Sequence, residues 1–528
     1  MLHLISVLAF IPFVLCAPNW VTVHTSNGPI TGRTTDGDVV EYLGIPYAEP
    51  PVRSLRFMPP QKLKSSRPYE AAHWGYDCPR LSSRSFNYTY LTAQAPAILA
   101  AFTAGNGTQS EDCLTLNIWS KPTPRSVVHD KPVLVFLYGG RFAGGNTNTP
   151  FWNGRYLAAS EDIIVITVNY RINILGFPGS CSSTPAGCVQ NHGLRDQRLA
   201  VEWIRDNIAA FGGNPQKIVI AGQSAGAVSV DYWTYAYVED PIVAGLIMHS
   251  GSALSFPLNT PEYTAAAWRD VVRAVGCDSK RSDSKSSDEV HCMQQKNWED
   301  IRTAAANVKP DSSTNNNPLR STPAFYPVVD NETVFANYST LNKAGLFAKL
   351  PILIGHNDKE EGYYALSSLS KGISALPSKT QMTEFHLSSF TCPIAAQADA
   401  RIAHNVPVWQ YRYFGNWTNV QLYNYTNNNS SELTALSGAY HGSDLFMLFG
   451  TSRDVTGLED SMAEVQMTQT IQRAWAVFCD FPGYGLSGEM HWPMFSRESE
   501  SLVRLGYRDS PTPDFVRPGL YDGGCQAF

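Results

Sequence analysis

Residues 222–226 (GQSAG) are the part of this chain whose types and spacing point most directly to chemistry. They follow the apolar run 217–221 and precede the small-residue stretch 227–230, so the pattern predicts a sharp turn between a strand and a helix. The two glycines leave room for a strained backbone path, and a serine on such a turn is exposed for attack on an electrophile. The N-terminus of the following helix stabilises negative charge that develops beside it. Ser224 is therefore the candidate nucleophile.

A serine hydroxyl is a weak nucleophile at neutral pH, so a base must accept its proton and a carboxylate must orient that base. Downstream of Ser224, the apolar run 350–354 leads into residues 355–362 (GHNDKEEG), and residues 438–444 (GAYHGSD) follow later. These two segments supply candidate carboxylates and a candidate base, His441. We interpret most of the other eleven histidines as surface or packing residues.

Length, composition and charge describe a globular protein and exclude several classes of function. The chain has 528 residues, of which 43% are hydrophobic and 16% are charged, and one long domain or two or three average domains would fit this length. The formal net charge is -6 and no block of Lys and Arg occurs, which argues against a nucleic-acid partner. The sequence contains no Cys-x-x-Cys or His-x-x-x-His pattern, so we expect no metal site, and the predicted chemistry requires no cofactor.

The N-terminus predicts export from the cell. Residues 4–17 form one short apolar run, which is typical of a secretory signal peptide over residues 1–17. The alternative is a buried N-terminal strand, because the segment before the run carries only His3 and no Lys or Arg. No other segment reaches the roughly 18 apolar residues needed to span a bilayer. Several Asn-x-Ser/Thr glycosylation acceptors agree with secretion: Asn87, Asn106, Asn331, Asn337, Asn416, Asn424, Asn428 and Asn429.

The cysteine count also fits an oxidising compartment. The chain has ten cysteines, and removal of Cys16 with the signal peptide leaves nine, an odd number that implies at least one free or intermolecular thiol. We interpret the others as disulfide-bonded.

Short apolar runs rich in β-branched residues recur at residues 132–137, 163–168, 217–221 and 350–354, which is typical of strands buried on both faces. Between the second and third runs, residues 194–208 carry apolar side chains at helical spacing. This alternation predicts an α/β fold with a mostly parallel central sheet flanked by helices. The candidate nucleophile and the candidate carboxylates then follow the ends of two of its strands.

Several longer motifs make the chain similar to a known family: residues 42–48 (YLGIPYA), 55–57 (LRF), 110–119 (SEDCLTLNIW), 168–171 (VNYR), 211–215 (FGGNP) and 222–226. The chain resembles the type-B carboxylesterase/lipase (cholinesterase-like) family over nearly its full mature length. The resemblance implies an α/β-hydrolase fold, a single domain over residues 18–528, and a Ser-Glu-His triad. Ser224 matches the family's nucleophile, and His441, which is followed by Gly-Ser-Asp, matches its base.

The resemblance leaves two candidates for the acid of this triad. The family has a Glu five residues after the Gly that ends the strand, and a Gly follows that Glu. Counting forward from Gly355 selects Glu360, whereas counting back from Gly362 selects Glu361. We favour Glu360 because the strand end fixes the geometry more tightly than the loop after it, and Glu361 stays open as the alternative.

An oxyanion intermediate needs two or three backbone N-H donors. The amide of Ala225 directly follows Ser224, and residues 138–142 (YGGRF) stand where the family has a His/Tyr-Gly-Gly-Gly-Phe loop, which implies Gly140 and Arg141 as the other donors. Arg141 replaces a small residue of the family, and its N-H keeps this role if φ stays negative. We expect its side chain to point to solvent; the alternative is that it lines the pocket and attracts an acidic substrate.

The resemblance also implies two disulfide bonds: Cys78–Cys113 and Cys277–Cys292. Cys181 and Cys188 are close enough in the sequence for a local pair, and the pairing among Cys392, Cys479 and Cys525 stays open. The loop closed by the first bond contains residues 95–102, an apolar stretch compatible with a helix. In the family's lipases such a loop forms a lid over the active site; the alternative is a helix packed permanently on the domain.

The expected substrate is a small-molecule or lipid ester. Cholinesterases of the family have a Glu before the serine and a Trp in the first disulfide loop, which help to bind a quaternary ammonium. This chain has Gln223, and no Trp lies between Cys78 and Cys113, so a choline ester is not expected. The sequence predicts a secreted serine hydrolase that cleaves carboxylic esters through an acyl-enzyme. The alternatives are a lipase for long-chain esters and a non-catalytic binding or adhesion protein of the same fold.

Overall fold

The structure is a computed structural model that describes residues 20–81, 90–102, 107–122, 130–179, 190–278, 286–310, 317–426 and 434–525. Several predicted features lie outside these residues: the signal peptide over 1–17, the pair Cys181 and Cys188, and the glycosylation acceptors Asn87, Asn106, Asn428 and Asn429. Within the described ranges, no helix has the length and apolar character that crossing a bilayer requires.

The strands are β1 (Trp20–Thr25), β2 (Gly28–Thr34), β3 (Val40–Pro46), β4 (Tyr69–Glu70), β5 (Thr115–Ser120), β6 (Lys131–Leu137), β7 (Ile164–Val168), β8 (Gly213–Gln223), β9 (Gly245–His249), β10 (Ile352–Asn357), β11 (Val408–Tyr413), β12 (Asn424–Thr426), β13 (Thr434–Leu436), β14 (Leu502–Leu505) and β15 (Asp514–Val516). In the described chain, thirteen of them form one sheet in the order β1-β2-β3-β5-β7-β6-β8-β9-β10-β11-β14-β15, with β4 beside β2. Strands β12 and β13 form a separate pair.

The α-helices are α1 (Ala95–Phe102), α2 (Arg155–Glu161), α3 (Asn173–Gly176), α4 (His192–Asn207), α5 (Ala225–Ala236), α6 (Pro261–Ala274), α7 (Ser286–Gln295), α8 (Trp298–Ala306), α9 (Tyr338–Ala344), α10 (Glu361–Tyr364), α11 (Leu366–Leu369), α12 (Lys379–His386), α13 (Cys392–Ala403), α14 (Leu445–Phe449), α15 (Ser452–Thr456), α16 (Met462–Asp480), α17 (Gly485–Gly488) and α18 (Gly519–Asp522). The predicted helix 194–208 corresponds to α4.

The four predicted strands are all present, as β6, β7, β8 and β10. Strands β7, β6, β8, β9, β10, β11 and β14 run parallel to one another, and the antiparallel pairs lie toward the two edges of the sheet. Every residue of β7, β9 and β10 is buried, which explains why these strands are continuous apolar runs rather than alternating patterns. The predicted fold, a mostly parallel sheet flanked by helices, is confirmed.

The topology of the sheet brings the candidate residues together. Strands β8 and β10 lie on either side of β9, and all three run parallel. The carboxyl ends of parallel strands meet at one edge, so Ser224 after β8 and Glu360 after β10 lie at the same edge. The segment before α14 brings His441 to this edge from far along the chain.

The structure contains both disulfides that the family resemblance implies, Cys78–Cys113 and Cys277–Cys292. It adds Cys392–Cys525, which joins residues 133 positions apart in the sequence. Cys479 carries a free, buried thiol, and burial raises its pKa.

Candidate active site

The turn after β8 holds Ser224 in a strained backbone conformation. Its φ and ψ angles are 58° and -122°, a region that costs on the order of 1 kcal/mol or more for a residue with a side chain. The Ser224 amide donates to the carbonyl of His249 at 2.8 Å, which ties the turn to β9. A Cβ at Gly226 would overlap the carbonyl oxygen of Leu137, and a Cβ at Gly222 would overlap the backbone of Gly226. The two glycines therefore allow the close approach that projects the serine from the sheet.

Glu360 and His441 form a buried pair beside this turn. The Nδ1 atom of His441 lies 2.5 Å from Oε2 of Glu360, and both side chains are almost fully buried. The Asn357 amide donates to the other oxygen, Oε1, at 2.7 Å, so both carboxylate oxygens are held. A carboxylate at Nδ1 keeps the proton on that nitrogen and leaves Nε2 as the acceptor, which is the tautomer a general base needs.

Glu361, the alternative acid, makes a different pair. Its Oε2 atom lies 3.0 Å from Nδ1 of His386. Burial opposes ionisation of this carboxyl, but the hydrogen bond and charge of His386 outweigh it and lower the pKa of Glu361. Of the two adjacent glutamates, the structure brings Glu360 and not Glu361 to His441.

The Nε2 atom of His441 contacts two residues that the sequence did not point to. The side-chain amide nitrogen of Gln223 lies 3.0 Å away and the hydroxyl of Tyr364 lies 3.2 Å away. Burial raises the pKa of Tyr364, whose hydroxyl also interacts with Ser224, so it stays protonated. Tyr364 follows Glu360 by four residues, the helical spacing that places two side chains on one face. That spacing was the available signal for Tyr364, whereas no pattern in the sequence indicated a contact between Gln223 and His441.

Three backbone amides near Ser224 have no acceptor among the described residues: those of Gly140, Arg141 and Ala225. The first two lie in a turn whose φ angles are 111° at Gly140 and 56° at Arg141, closed by the Ala143 amide, which donates to the Gly140 carbonyl at 3.0 Å. The condition of a negative φ at Arg141 is therefore not met: Gly140, Arg141 and Phe142 are three successive residues with positive φ. The N-H of Arg141 nevertheless remains without an internal partner.

The expectation that the Arg141 side chain points to solvent is wrong. Its guanidinium donates to the carbonyl of Ser321 at 2.9 Å and to that of Leu319 at 3.0 Å. It also lies over the ring of Tyr364, 4.8 Å from the ring centre. The side chain of Arg141 therefore points inward, toward residues 319–321.

These groups open onto one cavity of about 700 Å³. Its lining includes Ser224, His441 and the loop around Gly140, and its aromatic walls are Phe102, Trp152, Tyr363 and Tyr364. Phe102 is the last residue of α1, and its ring lies 4.8 Å from that of Tyr363. Four other residues of α1 are buried, and Thr149 donates to the carbonyl of Ala101 at 2.8 Å. In this structure α1 is a packed wall of the cavity.

The sequence profile described as the Carboxylesterase family matches residues 19–389. The chain belongs to the carboxylesterase family. It is similar to the chlorogenic acid esterase of Aspergillus niger, with 32% identity over 91% of this chain and 89% of that protein, and to secreted lipase 5 of Gibberella zeae, with 29% identity over 95% and 93%. Among solved structures, a thermophilic PNB esterase has a TM-score of 0.74 and 25% identity, covering 94% of this chain and 97% of that one. The predicted family and α/β-hydrolase fold are confirmed.

A second carboxylate–histidine pair of this carboxylesterase lies behind the first. The Nδ1 atom of His249 lies 2.8 Å from Oδ2 of Asp444, and Asn357 donates to Oδ1 at 3.1 Å. The indole N-H of Trp475 donates to His249 Nε2 at 3.0 Å. Because an indole nitrogen only donates, His249 must be neutral with its proton on Nδ1. Burial opposes ionisation of Asp444, but the hydrogen bonds from His249 and Asn357 help to outweigh it, and the pKa of Asp444 is lowered.

Proposed function

We propose that this carboxylesterase is a secreted serine hydrolase that cleaves carboxylic esters through an acyl-enzyme, with Ser224, Glu360 and His441 as its triad. The observation that carries the proposal is the Glu360–His441 pair at the same edge of the sheet as the strained Ser224 turn. Three unpartnered amides, those of Gly140, Arg141 and Ala225, lie beside that turn. A purely structural His–Glu pair would not explain why these donors lack acceptors.

The mechanism follows from these positions. His441 Nε2 accepts the Ser224 proton as Oγ attacks the ester carbonyl, and Glu360 stabilises the imidazolium that forms. The three amides donate to the oxyanion, and each such donor is worth about 3 kcal/mol in serine hydrolases. His441 then gives its proton to the departing alcohol. A water molecule, deprotonated by the same imidazole, attacks the acyl-enzyme and releases the acid and the free serine.

One rearrangement must precede the attack. Nε2 of His441 accepts hydrogen bonds from Gln223 and Tyr364, and no hydrogen bond joins it to Ser224 Oγ in the described structure. Catalytic hydrogen bonds of unliganded hydrolases are often long and shorten only when substrate binds. Substrate entering the cavity would displace the Tyr364 hydroxyl and let Ser224 reach the imidazole.

Secretion rests on independent support. The apolar run over residues 4–17 has the pattern of a signal peptide, and the described chain contains three disulfides, which persist in oxidising compartments. A relative of similar length is named a secreted lipase. Mass spectrometry of the protein recovered from culture medium would test the proposal: we expect the mature chain to begin at Pro18.

The cavity favours a compact ester over a long acyl chain. Its walls are aromatic side chains, and α1 packs on the domain instead of standing away from it. The name chlorogenic acid esterase, carried by a relative, fits an aromatic ester, whereas the name of the secreted lipase keeps a long-chain ester as the second candidate.

The deciding experiment is a series of p-nitrophenyl esters from acetate to palmitate, hydrolysed by the native chain, by Ser224→Ala and by Ser499→Ala. Ser499 is exposed, so its variant controls for handling. We expect turnover to peak on short esters and to vanish only in Ser224→Ala. A peak on long chains, with a rate increase in emulsion, would make the protein a lipase with a mobile lid. Hydrolysis by Ser224→Ala at the native rate would contradict the proposed nucleophile.

A further inference from the structure

The charges that line the cavity are unbalanced. Its described lining contains three basic residues, Arg80, Arg141 and Lys371, and no Asp or Glu. Arg80 is neutralised by Asp77, whose Oδ2 atom lies 2.9 Å from its guanidinium. The carboxylate of the proposed triad, Glu360, is fully buried and paired with His441. The cavity therefore keeps a net positive charge at Arg141 and Lys371.

Of the three basic residues, Arg141 alone also lines the small recess beside Ser224 and Ala225, and it lies in residues 138–142, the proposed oxyanion loop. Among the described residues it forms no ion pair, and its only acceptors are the carbonyls of Leu319 and Ser321. A guanidinium has five N-H donors, so three remain without an acceptor in the part of the chain that the structure describes. The two carbonyl dipoles hold the guanidinium in position, but they supply no negative charge that would neutralise it.

The field of this charge extends across the pocket. Burial raises the pKa of Tyr326, Tyr363 and Tyr364, and the charge of Arg141 acts in the opposite direction on all three. The Tyr364 ring also lies beneath the guanidinium. An anion placed among these rings would therefore meet both the guanidinium and protonated phenol groups.

We propose that the ester cleaved by this enzyme carries a carboxylate, and that Arg141 binds this carboxylate inside the cavity while Lys371 attracts it at the exposed rim. This inference rests on the proposed function and names its substrate class. A planar guanidinium matches a carboxylate with two parallel hydrogen bonds, and such charge-assisted bonds are about twice as strong as neutral ones. The aromatic walls would contact the apolar remainder of the substrate.

A competing explanation is that Arg141 only braces the oxyanion loop against residues 319–321. Both explanations predict damage when Arg141 is replaced, so the loss of activity alone cannot separate them. The ratio of kcat/KM for an anionic ester to that for its neutral analogue does separate them, because bracing affects both esters alike.

Two matched pairs of substrates measure this ratio. In 4-acetoxybenzoate and 4-acetoxybenzamide the charge difference lies on the alcohol side of the ester, and in the p-nitrophenyl monoesters of glutaric and valeric acid it lies on the acyl side. We expect the native enzyme to prefer the anionic member of at least one pair by about tenfold, once uncatalysed rates are subtracted. The preference should decrease as salt is added, since Lys371 is exposed.

The variants are Arg141→Gln, Arg141→Lys and Lys371→Gln, with Lys343→Gln, an exposed lysine outside the lining, as the control for net charge. We expect the ratio to fall close to one in Arg141→Gln, to be retained at least in part in Arg141→Lys, and to equal the native value in Lys343→Gln. Hydrolysis of both members at equal rates, or an unchanged ratio in Arg141→Gln, would overturn the inference and leave the proposed function intact. If the native enzyme hydrolyses none of the four esters, the proposed function is overturned and the inference with it.

Discussion

In the described part of the chain, the pairs Glu360–His441 and Asp444–His249 are both almost fully buried, and they differ in the groups that contact the Nε2 atom of the histidine. In both, a carboxylate oxygen contacts Nδ1, at 2.5 Å for Glu360–His441 and 2.8 Å for Asp444–His249. The far nitrogen of His441 lies in the cavity near Ser224. The far nitrogen of His249 accepts from the indole of Trp475, and His249 is not among the described residues that line the cavity.

The difference shows that a paired, oriented imidazole is not sufficient evidence for a general base. A base must present a free lone pair to the proton it removes, and Trp475 occupies that lone pair in His249 permanently. In His441 the lone pair is held by Gln223 and Tyr364, two side chains that line the cavity, and the proposed mechanism has substrate displace the Tyr364 hydroxyl. We therefore expect the first pair to control the reaction rate and the second to control stability.

Replacing Glu360 should have the largest effect. In Glu360→Gln the amide can donate to Nδ1, which reverses the tautomer of His441, and we expect kcat to fall by about 10³ to 10⁴-fold with the fold unchanged. The neighbouring variant Glu361→Gln changes the same charge at a carboxylate paired with His386, so its kcat should fall by less than about tenfold. Both are measured with p-nitrophenyl acetate. Equal losses of kcat in the two variants would mean that activity depends on any carboxylate near the cavity and not on the Glu360–His441 pair.

Replacing Asp444 should mainly lower stability. Asp444→Asn leaves His249 and Asn357 facing a group that cannot accept from both, and we expect the free energy of unfolding to fall by about 3 kcal/mol. Denaturant titration measures this change, and kcat per folded molecule should stay within about tenfold of the native value. A loss of kcat as large as that of Glu360→Gln would erase the proposed distinction between the pairs.

The same residue predicts a dependence of stability on pH. The pKa of Asp444 is lowered in the folded protein, so its stabilising contribution is complete above its ordinary value near 3.8 and is lost as the pH falls through the lower, folded value. Thermal unfolding between pH 6 and 3 should therefore show a steeper decrease in Tm for the native chain than for Asp444→Asn. Equal decreases in Tm in the two proteins would contradict the assignment of this pH dependence to Asp444.

The smallest effect is expected for Tyr364→Phe. This change removes the hydroxyl beside His441 Nε2 and keeps the ring that packs on the imidazole. Because one hydrogen bond is worth about 1 kcal/mol, kcat should rise by no more than about fivefold. A decrease beyond tenfold, measured on the same ester, would instead give the hydroxyl a direct part in the reaction.

Local patterns were sufficient to predict much of this molecule. The continuous apolar runs predicted β6, β7, β8 and β10, because strands buried on both faces have no polar alternation. The spacing that the family resemblance implies, counted from Gly355, selected Glu360, and the structure places this residue beside His441, although β10 continues past Gly355 to Asn357.

The features that sequence reasoning missed depend on contacts between distant segments or on unusual backbone angles. His249 meets Asp444 across 195 residues, and Cys392 meets Cys525 across 133, separations at which no local pattern operates. Arg141 has a φ of 56°, which a residue with a side chain adopts only when the surrounding loop requires it, and its inward direction is fixed by carbonyls about 180 residues away in the sequence.

The Cys392–Cys525 disulfide has a practical consequence for handling the protein. His441 lies within the covalent loop that it closes, whereas Ser224 and Glu360 lie outside it. A single proteolytic cut between residues 392 and 525 therefore leaves one covalently joined molecule. Such nicked protein would migrate as intact chain on a non-reducing gel and separate into two fragments only after reduction, so purity should be judged under reducing conditions.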